Sequence, residues 1–338
     1  MFMSEDLRFS ILIPTYNGAN VLKDTLRSIL SQSYTNYNII INDDASNDNI
    51  EELVSSFGDG RIKFYKNETN LGYPLNLEEC RKKADGDIIY LMGQDDILGS
   101  DALLHTYQAF KLSDEIGAVT RPYYWFDKDI RKPVRIKEQL NPNRNEIVTI
   151  TDDIKRIILV FRTLDQLSGL AYRKKFMDLP FHEDIFPCHV YPFASIFKKH
   201  PIVFLKDYNV AVRISTSQTR SLSSIYEKSV NKSWIDMFNN VFAEKDFEKV
   251  RNYCVKEFMG TNYVGLVQIR NYGRYRYLLR EIYYLFKYRK ENMGDPRFWF
   301  FSVGCMVMPR SVLIPLVDIY KNELNSRLIK PISFEYKL

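Results

Sequence analysis

From residue 9 onward, short apolar runs alternate with amphipathic stretches, and this alternation restricts the chain to buried strands joined by helical crossovers. Residues 9–13 form an apolar run closed by Pro14, after which Val21, Leu22, Thr25, Leu26, Ile29 and Leu30 share one helical face. Further strands are expected over 37–42, 61–65, 87–91 and 116–120. Helices fit 50–57, capped by Ser46 or Asn47, then 74–84 with Pro74 in the first turn, and 101–111 with Ser100 as the cap. Residues 202–205 and 210–213 close the series as strands. With 338 residues, 45% of them hydrophobic, there is enough material for one large core and an appendage. The fold class expected is α/β, a mostly parallel Rossmann-like sheet flanked by helices.

In such sheets ligands collect beyond the carboxyl ends of the strands, where loops diverge and helix N-termini offer N–H groups. Two of the expected strands finish there in acid: Asp43 with Asp44, and Asp95 with Asp96. No strand is followed by Gly-x-Gly-x-x-Gly, and no P-loop motif occurs, so glycine-cradled dinucleotides and P-loop nucleotides are excluded. Carboxylates in that place suit a divalent cation, Mn²⁺ or Mg²⁺, bridging them to the phosphates of a nucleotide. Asp43, Asp44 and Asp48 would also serve as turn and cap residues, and Asp95 and Asp96 as a solvated loop. Recurrence of the pair at one edge favours a site.

Cys80, Cys188, Cys254 and Cys305 stand far apart, and no charged-then-apolar leader precedes the first strand, so reduced thiols in a cytoplasmic protein are expected. The net charge of +5 is unevenly spread: residues 270–290 hold seven Lys/Arg against the single acid Glu281. From about residue 222 longer helical stretches take over, at 233–242, 248–267 and 275–288. The division expected is therefore 1–221 and 222–338, with nucleotide binding in 1–120 and the acceptor side in 121–221. Residues 298–308 are apolar but too few to span a bilayer, which needs ~20. Two readings stand for that run: burial against the first domain, or peripheral contact with the inner face of the cell membrane through basic, aromatic helices.

The fragments Ile13-Pro14-Thr15-Tyr16-Asn17, Asn42-Asp43-Asp44-Ala45-Ser46-Asn47-Asp48, Asn70-Leu71-Gly72, Ala84-Asp85-Gly86-Asp87 and Gln94-Asp95-Asp96 resemble, in order and spacing, the family 2 glycosyltransferases. The resemblance implies a GT-A-type fold and transfer of one sugar, with inversion, from a nucleotide-diphosphate sugar. It also implies a divalent metal. Carried onto this chain, Pro14, Thr15, Tyr16 and Asn17 border the base, with Tyr16 stacked on it. Asp44 accepts from the base imide, which favours UDP, while Asn70, Gly72, Asp95 and Arg213 complete the donor contacts. The family's Asp-x-Asp metal motif has Gly93 in its first position here, leaving Asp95 and Asp96 as the metal pair, unranked.

The catalytic base in such enzymes sits in a Glu-Asp pair at a helix start, after a strand carrying Ser-Gly. Here that implies Asp184, with Glu183 as the alternative, following Ser168-Gly169. The processive signature Gln-x-x-Arg-Trp is absent, which implies single additions to a glycan or lipid-linked glycan acceptor of capsule or lipopolysaccharide type. Three rivals remain: an inactive scaffold or binding protein, a sugar nucleotidyltransferase, and a nucleic-acid binder. The acidic edge disfavours the last.

Overall fold

The computed structural model describes residues 6–216, 223–320, 325, 329 and 332–337. Its first strands are β1 (Phe9–Thr15), β2 (Tyr37–Asp43), β3 (Ile62–Lys66) and β4 (Ile88–Leu91). They pair in the order β3-β2-β1-β4, all parallel, with Thr15 in register with Asp43. Every residue of β1, β2 and β4 is buried, as expected of strands covered on both faces. Helix α1 (Ala19–Leu30) buries Leu22, Leu26 and Ile29 in the same core as Ile11, Ile13, Ile39 and Ile41.

Beyond β4 the sheet changes character. Strand β10 (Ala171–Arg173) inserts antiparallel between β4 and β6 (Ala118–Thr120), and β11 (Ile202–Phe204) and β9 (Glu146–Val148) complete eight strands. A second sheet orders β5 (Ile97–Leu98), β12 (Val210–Arg213), β7 (Tyr124–Phe126) and β8 (Pro133–Ile136). The stretch 121–150, where no strand was expected, thus supplies three short strands. Helix α5 (Ile154–Thr163), capped by the Asp153 carboxylate on the Lys155 N–H, had no counterpart in the sequence reading.

Several expected details are corrected. Helix α2 (Ile50–Ser55) begins after Asn49 with no side-chain cap, because the Ser46 hydroxyl is taken by Asp43 and by the Asn17 N–H. Asp48 caps a different helix, accepting from the Ala19 N–H of α1 at 2.8 Å. Helix α4 (Ala102–Phe110) is preceded by Asp101, not capped by Ser100. The helix expected over 248–267 is interrupted: Glu248–Tyr253 leads into a wider helical turn, Cys254–Met259, and a new helix starts at Gly265.

The chain divides into two compact units, Met1–Ile214 with Lys330–Leu338, and Ser215–Ile329. The boundary expected between 221 and 222 lies outside the described residues. In the first unit, residues 332–337 return to the second sheet: Phe334 meets Tyr124 edge-on at 5.2 Å, and the Ser100 N–H donates to the Glu335 carbonyl at 2.8 Å. The second unit is helical throughout its ordered elements among the described residues. All four cysteines are buried and none is in a disulfide.

Candidate active site

The loops that follow β1, β2 and β4 are tied to one another. The side-chain amide of Gln94 accepts from the Tyr16 N–H at 2.9 Å and donates to the Tyr16 carbonyl at 3.3 Å, so the first-strand loop is held to the acidic loop as if by one rung of a sheet. Gly18 makes room for this contact: a Cβ there would lie 2.3 Å from Gln94 Oε1. Asn17 adopts φ 48°, a left-handed conformation that asparagine tolerates. Its N–H donates to Ser46 Oγ at 2.8 Å, and its Oδ1 accepts from the Asn47 N–H at 3.0 Å. Pro14 and Thr15 are buried beneath the loop, Tyr16 is half-buried and Asn17 exposed. An open polar cleft of about 500 Å³ lies alongside, lined by Asn17, Ala19, Asn20, Asn47, Asp48 and Asn49.

The first acidic pair divides its labour. Asp43 is wholly buried and spent on its own turn, accepting from the backbone and hydroxyl of Ser46. Asp44 instead organises the loop after β3. Its Oδ1 accepts from the Leu71 N–H at 2.8 Å and from Asn67 Nδ2 at 2.9 Å, and its Oδ2 from the Gly72 N–H at 2.9 Å. Asn70 Nδ2 donates to the Asp44 carbonyl at 3.2 Å. Beneath lies an amide network, with Asn42 Nδ2 donating to Asn76 Oδ1 at 2.7 Å and to Asn67 Oδ1 at 2.8 Å. Asn67 and Asn76 escaped the sequence reading because an asparagine before or within a helix looks like an ordinary surface residue.

The second pair converges on Gly93. A Cβ at that position would lie 3.0 Å from Asp96 Oδ2 and 3.3 Å from Asp95 Oδ1, so both carboxylates crowd the place where the usual motif has its first aspartate. Asp96 is buried, its Oδ2 accepting from Ser168 Oγ at 2.5 Å and its Oδ1 from the Arg213 N–H at 2.9 Å. Burial and the adjacent Asp95 carboxylate push the Asp96 pKa up, against the opposing pull of those two hydrogen bonds. Asp95 is half-buried and the more accessible of the two. Two carboxylates side by side, one of them desolvated, are the hard oxygen donors that a dication suits. The pair therefore fits a metal ion. Among the described residues no group of three or more His, Cys, Asp and Glu could hold one, so phosphate oxygens and water would have to complete the shell.

Ser168 and Arg121 were not expected here. Ser168 Oγ also accepts from the Gly93 N–H at 2.8 Å. Arg121, fully buried, reaches the Ser168, Thr163 and Gln166 carbonyls at 2.7, 3.1 and 2.8 Å. It thereby shapes the loop that holds Asp96. Gly169, at φ 86°, lets that loop turn under the guanidinium, since a Cβ would meet Arg121 Nε at 2.9 Å. In sequence Arg121 sits between an apolar run and Pro122, where an arginine reads as solvated. Arg213 is anchored, with Nε donating to the Asp95 carbonyl at 3.1 Å, an ion pair to Asp24 at 3.6 Å, and its guanidinium over Phe126 at 4.9 Å.

The Glu183-Asp184 pair lies in a turn, and not at a helix start as expected. Helix α6 (Val190–Lys199) begins later, and the residues immediately before it are Cys188 and His189. Glu183 is exposed and Asp184 half-buried, with the Asp184 N–H donating to His182 Nδ1 at 3.0 Å. His189 is buried with Nε2 2.8 Å from the Leu164 carbonyl, and burial pushes its pKa down to about 4.

Residues 10–166 match the family described as Glycosyl transferase family 2. The chain carries a family 2 glycosyl transferase domain. The α/β sheet with its C-terminal helices is a GT-A-type fold, and it superimposes on Staphylococcus aureus TarS 1–349, solved with UDP, with a TM-score of 0.62 at 16% identity over 92% of this chain and 91% of that one. A mannosyltransferase from Pyrobaculum calidifontis, solved with GDP-Man and Mn²⁺, aligns with a TM-score of 0.54 at 12% identity over 96% of this chain and 87% of that one. By sequence, the poly-beta-1,6-N-acetyl-D-glucosamine synthase of Staphylococcus epidermidis is 34% identical over 112 residues, 33% of this chain and 27% of that enzyme. The UDP-Glc:alpha-D-GlcNAc-diphosphoundecaprenol beta-1,3-glucosyltransferase of Escherichia coli is 34% identical over 93 residues, 28% of this chain and 37% of its own length. The likeness in sequence thus spans about a quarter to a third of these relatives.

Proposed function

We propose that this protein transfers a single sugar, with inversion, from a nucleoside-diphosphate sugar to the hydroxyl of a glycan or lipid-linked glycan during surface polysaccharide synthesis. One observation carries the reading: three strand-end loops, bearing Tyr16, Asp44 and the Asp95-Asp96 pair, are hydrogen-bonded into one edge of a GT-A sheet. UDP is the favoured carrier, since the relative from Escherichia coli is named for a UDP-Glc donor and TarS was solved with UDP-GlcNAc. That relative's acceptor, as named, is a diphosphoundecaprenol-linked sugar.

In this reading Tyr16 stacks on the base, and Asp44 holds the 67–72 loop closed beside it while accepting from the base imide. Asn17, Asn70 and Gly72 line the same side, and Arg213 steadies the acidic loop behind the diphosphate. Asp95, more accessible, and Asp96, positioned by Ser168, would hold Mn²⁺ or Mg²⁺. A cation bound there supplies positive charge to the departing diphosphate. Asp184 takes the proton from the acceptor hydroxyl as its oxygen bonds to C1 of the sugar and the C1–O bond to the diphosphate breaks. Glu183 is the alternative base.

Nucleotide release from a panel of UDP-, GDP- and dTDP-sugars with Mn²⁺, run beside thermal shifts with the free diphosphates, tests this. Asp95→Ala is expected to remove the metal-dependent part of the shift, and Asp184→Asn to keep the shift while slowing transfer by roughly 10²–10⁴-fold. A chain that binds no nucleoside diphosphate would be a scaffold, with Gly93 the mark of lost catalysis. Release of pyrophosphate would make it a nucleotidyltransferase.

A further inference from the structure

The second unit exposes apolar side chains in a way the first does not. Among the described residues twenty large hydrophobic side chains are exposed, and twelve of them fall between Tyr275 and Tyr320. Helix Pro296–Val307 buries Phe298, Ser302 and Cys305 on one face, which packs on helix Gly265–Tyr272 of the same unit. Its other face presents Trp299, Phe300, Val303 and Val307, exposed by 44, 75, 45 and 72%. Helix Arg310–Ile319 follows directly, has no buried residue, and exposes Val312, Leu316 and Ile319 at helical spacing. Exposed apolar side chains concentrated on two successive helices in this way mark a contact made with something else.

The charges nearby indicate what that is. Arg274, Lys287, Lys290, Arg297 and Arg310 are all exposed, and the segment 270–290 has seven cations to one acid. A second copy docking through the same patch would set these cations against themselves, because a two-fold interface pairs a surface with itself. An anionic lipid surface instead takes the aromatic and aliphatic side chains at its acyl boundary and the cations at its headgroups. Neither helix could cross: they have 12 and 10 residues, and no helix among the described residues is long and apolar enough to span a membrane. We infer that helices Pro296–Val307 and Arg310–Ile319 lie in the plane of an anionic lipid bilayer surface, with Phe300 and Val307 among the inserted side chains. This does not rest on the proposed transfer reaction.

Co-sedimentation of the full chain with vesicles of phosphatidylcholine, with and without about one third phosphatidylglycerol, tests it directly. Binding is expected only with the anionic lipid, weakening as salt is raised. Trp125 and Trp234 are buried at 7 and 5% exposure, so a blue shift of tryptophan emission on binding reports Trp299. The double variant Phe300→Asp, Val307→Asp changes two exposed positions and should bind at least about tenfold more weakly, while its circular dichroism and thermal midpoint stay unchanged. Arg297→Glu, at a side chain 73% exposed, should give a smaller loss confined to the anionic vesicles. The inference is overturned if neither vesicle is bound, if the double variant binds as well as the parent, or if the parent is a dimer that the double variant dissolves.

Discussion

Within the first unit, strands β1 and β2 are seven residues each and hand over to loops that meet within the first hundred residues, whereas β6, β10 and β11 are three residues each, drawn from positions as distant as 118 and 204. The two halves hold their loops by different means. Around β1, β2 and β4, Asp44, Ser46 and Gln94 are themselves loop residues bonding to neighbouring loops, and long buried strands carry the stability. Around β6, β10 and β11 the strands are too short to do so, and buried polar side chains fasten the segments. Arg121 binds three carbonyls of 163–168, Arg173 binds the Ile116 and Phe110 carbonyls at 2.9 Å each, and His189 binds Leu164.

If that contrast is right, the largest loss of stability should follow Arg121→Met. Three carbonyls of the loop behind Asp96 would lose their donor, at a cost of about 3–5 kcal/mol, read as a lowered urea midpoint. A loss under 1 kcal/mol would show that the 163–168 loop does not rest on this guanidinium.

Next comes a pH effect. His189 titrates near 6.5 in an unfolded chain and about 4 in the folded one, so between those values the unfolded state takes up a proton that the native state refuses. The His189 contribution to stability should therefore fall as pH drops from 6.5 to 4 and level off below, by a total on the order of 3 kcal/mol. His189→Gln should flatten the curve in that window. An unchanged curve would assign the acid sensitivity elsewhere.

The smallest expected effect lies in the loops after β2 and β3. Asp44→Asn keeps the shape but weakens the acceptors for Leu71 and Gly72, costing ~1–2 kcal/mol of stability. Its mark should be a raised KM for the donor with little change in kcat, measured on whichever nucleotide-sugar the panel identifies. A fall in kcat alone would place Asp44 in the chemistry and not in the loop.

The same contrast explains what could be read from the chain. The apolar runs at 9–13, 37–42 and 87–91 announced β1, β2 and β4, and the paired acids announced the edge, because long strands and their end residues are contiguous in sequence. Strands β7, β8 and β9 were read as loop, since three or four residues carry no period that stands out from a loop. The Glu183-Asp184 pair was placed at a helix start by analogy, but α6 starts at Val190, and only coordinates could show Cys188 and His189 there. Gln94 stood in view beside Asp95, yet its pairing with Tyr16 links positions 78 apart. The return of residues 332–337 to the second sheet was equally invisible, because nothing local distinguishes it from an unattached end.

By itself, then, the sequence determined the α/β order, the parallel N-terminal strands and the acidic edge, since each follows from hydrophobic periodicity and from residues adjacent along the chain. Tertiary structure alone decided what Asp43 and Asp44 each hold in place, which of Asp95 and Asp96 stays accessible, which arginine is buried, and which face of the C-terminal helices stays exposed. Those properties depend on desolvation and on partners far away in sequence, and neither is written in any local window.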